Sequence, residues 1–117
     1  MNTAKFIGNA GSDAKVTTLP SGDLVARFNL ATSETFINKN GENETRTEWH
    51  PIVAWGKTAE IVSKFVRKGS CVVIKAKAVN RKYQKEIDVP VSKNKTIKHT
   101  IDVNATEYQA YDVTVMD

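Results

Sequence analysis

Hydrophobic and polar residues alternate over much of this chain, with the period of two that is typical of a half-buried β-strand. The alternation is cleanest at residues 24–32, where leucine, alanine and phenylalanine face one side and valine, arginine and asparagine the other. Residues 71–79 alternate in the same way, with valine, isoleucine and alanine on one side and two lysines on the other. Shorter strand-like runs lie at residues 5–9, 15–19 and 101–111. These patterns predict a chain built mainly from short β-strands.

A single segment, residues 57–68, has helical spacing instead. Its apolar residues form one stripe at i, i+1, i+4 and i+5: Ile61, Val62, Phe65 and Val66. Two basic residues close its last turn, where positive charge complements the helix dipole, and Gly69 follows them. We therefore predict one helix that ends at Lys68.

Turn residues separate the predicted strands. Asn40-Gly41 is the strongest short-range hairpin signal, and a Pro-Ser-Gly-Asp turn lies at residues 20–23. Residues 86–103 predict a long basic hairpin that turns at residues 92–95, and Pro90 makes its arm an edge or a projecting ribbon because proline has no amide donor. The resulting order is three strands, a helix and two strands. The expected fold class is therefore all-β: a five-stranded Greek-key barrel of the oligonucleotide-binding (OB) type, with one short helix between strands 3 and 4 and long projecting hairpins.

Both tryptophans of the chain lie in the strand-like segment 45–57. Trp49 and Trp55 share one face of a strand, whereas Ile52 and Ala54 share the other and are natural core residues. Two large indoles on the side away from the core need a partner. Either another subunit buries them or a flat ligand stacks on them, and this segment alone leaves both interpretations open.

Charge is unevenly distributed over the 117 residues, although the net charge is only +4. Residues 57–98 contain 12 basic and 3 acidic residues, a net charge of +9, and the remainder carries −5. A local excess of this size is expected for a protein with a polyanionic partner. It is also compatible with a solvated, lysine-rich surface.

The remaining composition argues against several classes of protein. No apolar run approaches the roughly 18–20 residues of a membrane span, and the length fits one domain. The single cysteine, Cys71, cannot form an internal disulfide, which favours a reducing, intracellular setting. His50 and His99 are isolated, so no metal site is expected. We find no cofactor-binding or catalytic motif, and we expect no cofactor, no catalytic residue and no enzymatic activity.

Several longer motifs occur in a characteristic order: IGNAGSD, PSGDLVARFNLATSE, RTEWHPIVAWGKTAEIVSKFVRKGS and NRKY. In sequence and spacing they resemble the bacterial-type single-stranded DNA-binding protein over residues 4–83, and more loosely in the final strand. The resemblance implies a homotetrameric OB-fold protein that coats single-stranded DNA without marked sequence preference. It also implies a role in replication, recombination or repair, in the bacterial cytoplasm and associated with the nucleoid.

The resemblance further implies which side chains contact DNA. Four aromatic residues occupy the positions on which the family stacks bases: Phe36, Trp49, Trp55 and Tyr83. Basic residues match the phosphate-contacting positions or lie near them: Lys39, Lys57, Arg67, Lys68, Lys75, Lys77, Arg81 and Lys82. Three of the four aromatic residues differ in identity from those usual in the family, so stacking is expected with altered strength. Pro51 stands where arginine is common, which removes one phosphate contact.

The end of the chain departs from the family pattern. Residues 1–112 are expected to form the DNA-binding domain and residues 113–117 a short stub, without the acidic tail through which the family recruits replication and repair proteins. Either this is a tail-less member of phage or mobile-element type, or its tail has been removed. Two alternatives stay open: a tail-less dimeric scaffold resembling primosomal replication protein N, with DNA as a secondary ligand, and a single-stranded RNA-binding protein.

Overall fold

The computed structural model of this chain describes residues 1–93 and 95–116. Its elements in chain order are β1 (Ala4–Ala10), β2 (Lys15–Thr18), β3 (Leu24–Ile37), β4 (Asn43–Trp55), α1 (Gly56–Phe65), β5 (Cys71–Ser92) and β6 (Lys95–Met116). The predicted turn at residues 92–95 includes Asn94, which lies outside the described residues, and so does Asp117 at the end of the predicted stub.

The strands form one closed sheet. β5 lies between β1 and β6, and β4 lies between β6 and β3. The other edge of β3 pairs with two strands in succession. Residues 24–27 pair with β2, and residues 30–31 pair with residues 9–10 of β1, which closes the barrel. Among the described residues β4 and β6 form the one parallel pair, a seam between residues 52–54 and 108–110. The expected fold class, an all-β barrel of OB type with one short helix after the tryptophan strand, is confirmed.

Alternation along the strands places one face of each in the barrel interior. Leu30 of β3, Ile52 of β4 and Ile74 of β5 are fully or almost fully buried there. α1 packs against this cluster through the buried Val62. Each such aliphatic side chain contributes roughly 1.5–3 kcal/mol relative to an exposed one, so this core holds the strands in register.

The helix is shorter than the sequence predicted. It ends at Phe65, and the predicted end at Lys68 is wrong because Val66 adopts extended backbone angles (φ −87°, ψ 120°). The side chain of Arg67 bonds to the last turn instead, donating to the carbonyl of Ser63 at 2.8 Å and to that of Val66 at 3.0 Å. Arg67 therefore satisfies carbonyl groups that a helix end leaves without partners.

β5 and β6 continue beyond the barrel as a two-stranded ribbon, with 22 residues in each strand. The sequence predicted a strand at residues 71–79, a separate hairpin at residues 86–103 and a last strand at residues 101–111, and these divisions are wrong. Pairing runs without a break through residues 76–90 of β5, because β6 supplies a partner for each of them. The predicted projecting ribbon around Pro90 is present.

The C-terminal residues belong to β6. The boundary expected after residue 112 falls inside this strand, where Val113 is buried in the core and Val115 packs against it. Residues 113–116 therefore contribute to the barrel.

Candidate nucleic-acid interface

The strand that carries both tryptophans presents them on the outer face of the barrel. In the antiparallel register of β3 and β4, Trp49 lies opposite Ala31 and Trp55 lies opposite Val25. Opposed residues share a face of the sheet, so these four side chains lie on the side away from the core residue Ile52. The indoles are 59% and 44% exposed. We call this side of β3, β4, β5 and β6 the outer face.

The loop after β1 packs against the first indole. The Gly11 amide donates to the Asn29 carbonyl at 2.8 Å, which holds Gly11 beside β3. A Cβ atom on Gly11 would overlap Cζ3 of Trp49 and would lie 3.0 Å from its Cη2. The Gly11 backbone therefore supports the ring of Trp49, and only a residue without a side chain leaves the ring where it is.

Between the two indoles, three charged side chains cross the outer face. Nη1 of Arg27 on β3 donates to Oε1 of Glu107 on β6 at 3.1 Å, and Nη1 of Arg81 on β5 donates to the same oxygen at 2.9 Å. Arg27 lies opposite Val53, so its side chain passes over β4 to reach Glu107. This crossing explains why Val53 is only 2% exposed although it faces outward. We call Arg27, Glu107 and Arg81 the arginine bridge.

The arginine bridge lies in an open groove of about 330 Å³. The groove is lined by aromatic, apolar and charged side chains: Arg27, Val53, Trp55, Val79, Arg81, Glu107 and Gln109. The arginine side chains are 46% and 51% exposed, whereas that of Glu107 is 18% exposed. A guanidinium has five N–H donors, and each arginine uses one nitrogen on Glu107. The groove therefore offers donors to an anion directly beside an indole.

β5 extends the outer face past the groove. Lys77 lies opposite Gln109 of the groove lining, and Arg81 and Tyr83 follow on the same side at strand period. Tyr83 is 47% exposed. Lys75 precedes Lys77 at the same period and is also exposed. Four of the predicted contact residues on β5 thus share a face with the indoles.

Near the turn after Ile37, β3 and β4 also form a two-stranded ribbon, which we call the β3–β4 ribbon. Two other predicted contact residues lie on the face of this ribbon or of the β5–β6 ribbon that points away from the indoles. Phe36 pairs with Glu44, on the side of the β3–β4 ribbon away from Trp49, and the guanidinium carbon of Arg46 lies 5.2 Å from its ring centroid. Lys82 pairs with Asn104 on the side of β5 away from Tyr83. DNA would have to wrap around a ribbon edge to reach these two side chains from the outer face.

Lys39 lies in the exposed turn at the tip of the β3–β4 ribbon. Oδ1 of Asn38 accepts the amides of Asn40 at 2.9 Å and Glu42 at 3.0 Å, and Gly41 takes a positive φ of 76°. The predicted Asn-Gly hairpin is therefore confirmed. It holds Lys39 at the ribbon tip.

Three predicted phosphate contacts lie near the two ends of α1. Lys57 is exposed in the first turn, two residues after Trp55. The side chain of Arg67 donates to helix carbonyls, and the backbone amide of Lys68 donates to Oδ1 of Asp13 at 2.8 Å. In the described part of the chain, none of the three basic residues lines the groove of the arginine bridge.

Three residues of this face were missed by the sequence analysis. The alternation of β3 does place Arg27 outward, so its position beside a tryptophan strand is a signal that would have found it. The contact between Arg27 and Glu107 joins residues 80 positions apart, and no local pattern predicts it. Gly11 lies in a motif that was recognised, but its contact with Trp49 depends on the closed barrel.

His50, which follows Trp49, points to the other side of β4. Its ring stacks on Phe6 at 4.3 Å between centroids and meets the edge of Tyr108 at 5.8 Å. Its Nε2 lies 2.9 Å from Oγ1 of Thr32. His50 therefore joins three strands by packing.

The described residues offer neither a cluster of metal ligands nor a membrane-spanning helix. Residues 1–93 and 95–116 contain no group of three or more His, Cys, Asp or Glu side chains arranged to hold a metal ion. Within the same ranges no helix is long and apolar enough to cross a membrane.

Comparison with known proteins identifies the family. A model of the single-strand binding protein family matches residues 1–108. The chain belongs to this family. Proteins named single-stranded DNA-binding protein from serogroup A and serogroup B strains of Neisseria meningitidis are each 40% identical to it over 84 residues, which is 72% of this chain and 48% of theirs. The chain thus spans about half the length of the curated relatives it matches.

Solved structures of this family have the same fold. A Plasmodium falciparum single-strand binding protein, solved in complex with single-stranded DNA, superposes with a TM-score of 0.79 at 27% identity and covers all of this chain and 96% of its own. A deletion mutant of the single-stranded DNA binding protein from Thermus aquaticus superposes with a TM-score of 0.77 at 17% identity, over all of this chain and 51% of its own. The second likeness concerns the fold alone.

Proposed function

We propose that this chain binds and coats single-stranded DNA without marked sequence preference. The observation that carries the proposal is the pair of exposed indoles, Trp49 and Trp55, on one sheet face that also holds the arginine bridge. Every base has a π-face, so aromatic platforms bind a strand without reading its sequence. The arginines add the positive charge that phosphates attract. Family membership and the likeness to the Plasmodium falciparum complex support the proposal.

The proposed path follows the outer face. Bases stack on Trp49, Trp55 and Tyr83, and the strand reaches Phe36 where it wraps around the β3–β4 ribbon. Phosphates along this path are met by basic side chains on the strands, the ribbon tip and the helix ends: Lys39, Lys57, Arg67, Lys68, Lys75, Lys77, Arg81 and Lys82. Of these, Lys75, Lys77 and Arg81 have the strongest support, because they share the face of the indoles.

The cellular role follows from this binding. We propose a binding protein, not an enzyme, that protects single strands during replication, recombination or repair, in the cytoplasm of a bacterium or in the service of a phage or mobile element. Residues 1–112 contain the proposed DNA-contacting residues. Replication and repair proteins remain proposed partners.

We also propose that the chain acts as a homo-oligomer, and specifically as a homotetramer like the proteins it resembles. Ile7 on β1 is 62% exposed, and it lies on the face of β1 away from Phe6 and the core, since successive side chains of a strand alternate. An exposed apolar side chain on the outside of the barrel suits contact with a second copy. Native mass spectrometry tests this proposal, since four copies support it and a stable dimer favours the scaffold alternative.

Tryptophan fluorescence during titration with a long oligo-dT, at low and high salt, tests the DNA-binding proposal. Stacking on Trp49 and Trp55 is expected to quench the emission strongly, with a midpoint that shifts to higher DNA concentration as salt rises. The breakpoint gives the number of nucleotides bound per subunit. Unchanged emission from folded, oligomeric protein would mean that both indoles are subunit contacts, and the scaffold role would then replace this proposal.

Substitution of single aromatic residues tests which side chains stack on bases. Trp49→Ala is expected to remove one platform worth about 1–3 kcal/mol, a loss of roughly 5- to 150-fold in affinity. Phe65→Ala is the matched control, because Phe65 is an aromatic residue with 58% exposure that lies on α1 and is not one of the proposed stacking platforms. Equal losses from the two substitutions would contradict the assignment of the platforms.

A further inference from the structure

We propose that Arg27 and Arg81 form one phosphate-binding site within the DNA path, and that Glu107 is the positioning residue that holds both guanidinium groups over β4. This inference rests on the proposed function and deepens it. It adds a cation, Arg27, and an acid, Glu107, that the recognised sequence motifs do not assign to DNA contact.

The arrangement of the three charged groups is better explained by anion binding than by stabilisation of the fold. Glu107 is the least exposed of the three and lies between two arginines that are about half exposed. Exposed ion pairs add little to the stability of a fold, so holding the strands together is a weak reason for this arrangement. Two positive groups share one carboxylate oxygen, which leaves one excess positive charge at the surface.

The unused donors define what the site binds. Each guanidinium contacts Glu107 through Nη1, and among residues 1–93 and 95–116 its other nitrogens have no hydrogen-bond partner, so they can bind a ligand. A planar guanidinium matches the oxygens of a phosphate group with two parallel hydrogen bonds. Because Glu107 fixes one nitrogen of each arginine, less side-chain freedom is lost when a phosphate binds. The site therefore takes a phosphodiester of the DNA backbone.

The position of the arginine bridge places it on the path between the indoles. Val53, over which Arg27 passes, lies four residues from Trp49 and two from Trp55 along β4. At a strand rise of about 3.3 Å per residue, the two indoles are attached about 20 Å apart with the bridge between them. A strand whose bases stack on both indoles must cross the arginine bridge. The phosphate that it presents there would meet Arg27 and Arg81 together.

A salt titration tests the site. Affinity for a fluorescein-labelled oligo-dT is measured by anisotropy between 50 and 200 mM salt for the full chain and for Arg27→Met, which removes the charge but keeps an aliphatic cover over Val53. Arg27→Met is expected to weaken binding and to reduce the log–log salt slope by about 0.7, the value for one phosphate contact on a single strand. The ratio of the affinity of the unmodified chain to that of Arg27→Met is then expected to fall by roughly threefold between the lowest and the highest salt.

Lys98→Met is the charge-matched control. Lys98 pairs with Asp88 on the face of the β5–β6 ribbon away from Tyr83, so its removal is expected to leave the slope unchanged. An equal salt slope for Arg27→Met and Lys98→Met, together with DNA binding and quenched tryptophan emission in the unmodified chain, would refute the phosphate site and leave the proposed function standing. If the unmodified chain does not bind, the proposed function fails, and this inference fails with it.

A double-mutant cycle tests the role of Glu107. In a Glu107→Ala background Arg27 loses its anchor, so Arg27→Met is expected to change the slope by much less than 0.7. Glu107→Gln keeps an oxygen that can accept hydrogen bonds from both arginines. In this background Arg27→Met is expected to change the salt slope by nearly as much as it does in the unmodified chain. An equal effect of Arg27→Met in all three backgrounds would show that Glu107 does not position it. Urea unfolding of each variant confirms that the compared proteins are folded.

Discussion

The contact between Gly11 and Trp49 makes a prediction that separates binding from folding. A Cβ atom at position 11 would overlap the indole at Cζ3 and lie 3.0 Å from Cη2, whereas carbon atoms in contact are normally about 3.5–4.0 Å apart. Gly11→Ala therefore displaces the ring by roughly 1 Å. The φ angle of Gly11 is not in the left-handed region, so alanine fits the backbone there without strain.

The expected loss of affinity follows from the size of this displacement. A gap of about 0.5–1 Å forfeits a quarter to a half of a van der Waals contact, and one stacked base is worth about 1–3 kcal/mol. A displaced platform therefore costs about 0.3–1.5 kcal/mol, or roughly 2- to 12-fold in Kd. Folding stability is expected to stay level or to rise by up to about 1 kcal/mol, because alanine restricts the unfolded chain.

Anisotropy of a labelled oligo-dT measures the affinity, and urea unfolding measures the stability. The decisive comparison repeats Gly11→Ala in a Trp49→Ala background, where no indole remains to be displaced and no further loss is expected. A loss of the same size in both backgrounds would show that Gly11 acts independently of the ring. Unchanged affinity in the tryptophan-containing chain would refute Trp49 as a platform held by Gly11.

Three further substitutions test other parts of the structure. Gly8→Ala is expected to destabilise the fold by about 1–3 kcal/mol in urea unfolding, because its Cβ atom would overlap the backbone carbonyl of Ala31 where β1 meets β3, and an unchanged midpoint would contradict this contact. Phe36→Ala is expected to weaken binding of long oligonucleotides but not of one of about 8 nucleotides, which one OB fold can cover, and equal losses on both would place Phe36 on the main path with Trp49. Ile74→Ala is expected to cost about 2–5 kcal/mol of stability, visible as a lower Tm, and a Tm within error of the unmodified chain would contradict its place in the core.

Local patterns were sufficient to predict most of the elements and the shared outward face of the two indoles. The clean alternation of β3 reflects a strand with one face in a core, and the Asn40-Gly41 turn fixed its hairpin partner. The same period of two put Trp49 and Trp55 on the face away from Ile52, as the structure has them. Such patterns predict the orientation of a strand correctly because burial of the apolar side chains determines which face of the strand points to the core.

Features that depend on distant parts of the chain were not predictable. Val53 reads as an outward residue, and it is buried because Arg27 reaches over it to a carboxylate on another strand. The length of β5 was underestimated because its continuation needs a partner strand, and no local signal reveals how far β6 extends. The end of α1 depends on the contact of Arg67 with carbonyls of the last turn, and a basic residue at that point equally suits a longer helix.

The parallel seam between β4 and β6 has a consequence for local opening of the barrel. It consists of three residue pairs, whereas β5 and β6 pair along almost their whole length, so residues 52–54 and 108–110 are expected to separate more readily than β5 and β6 do. Arg27 and Glu107 lie on opposite sides of β4 and span this seam. A phosphodiester held there would tie β3 to β5 and β6 across the seam. Bound DNA is therefore expected to slow amide hydrogen exchange at the seam more than in the buried centre of β3, so that the nucleic acid itself helps to keep the barrel closed.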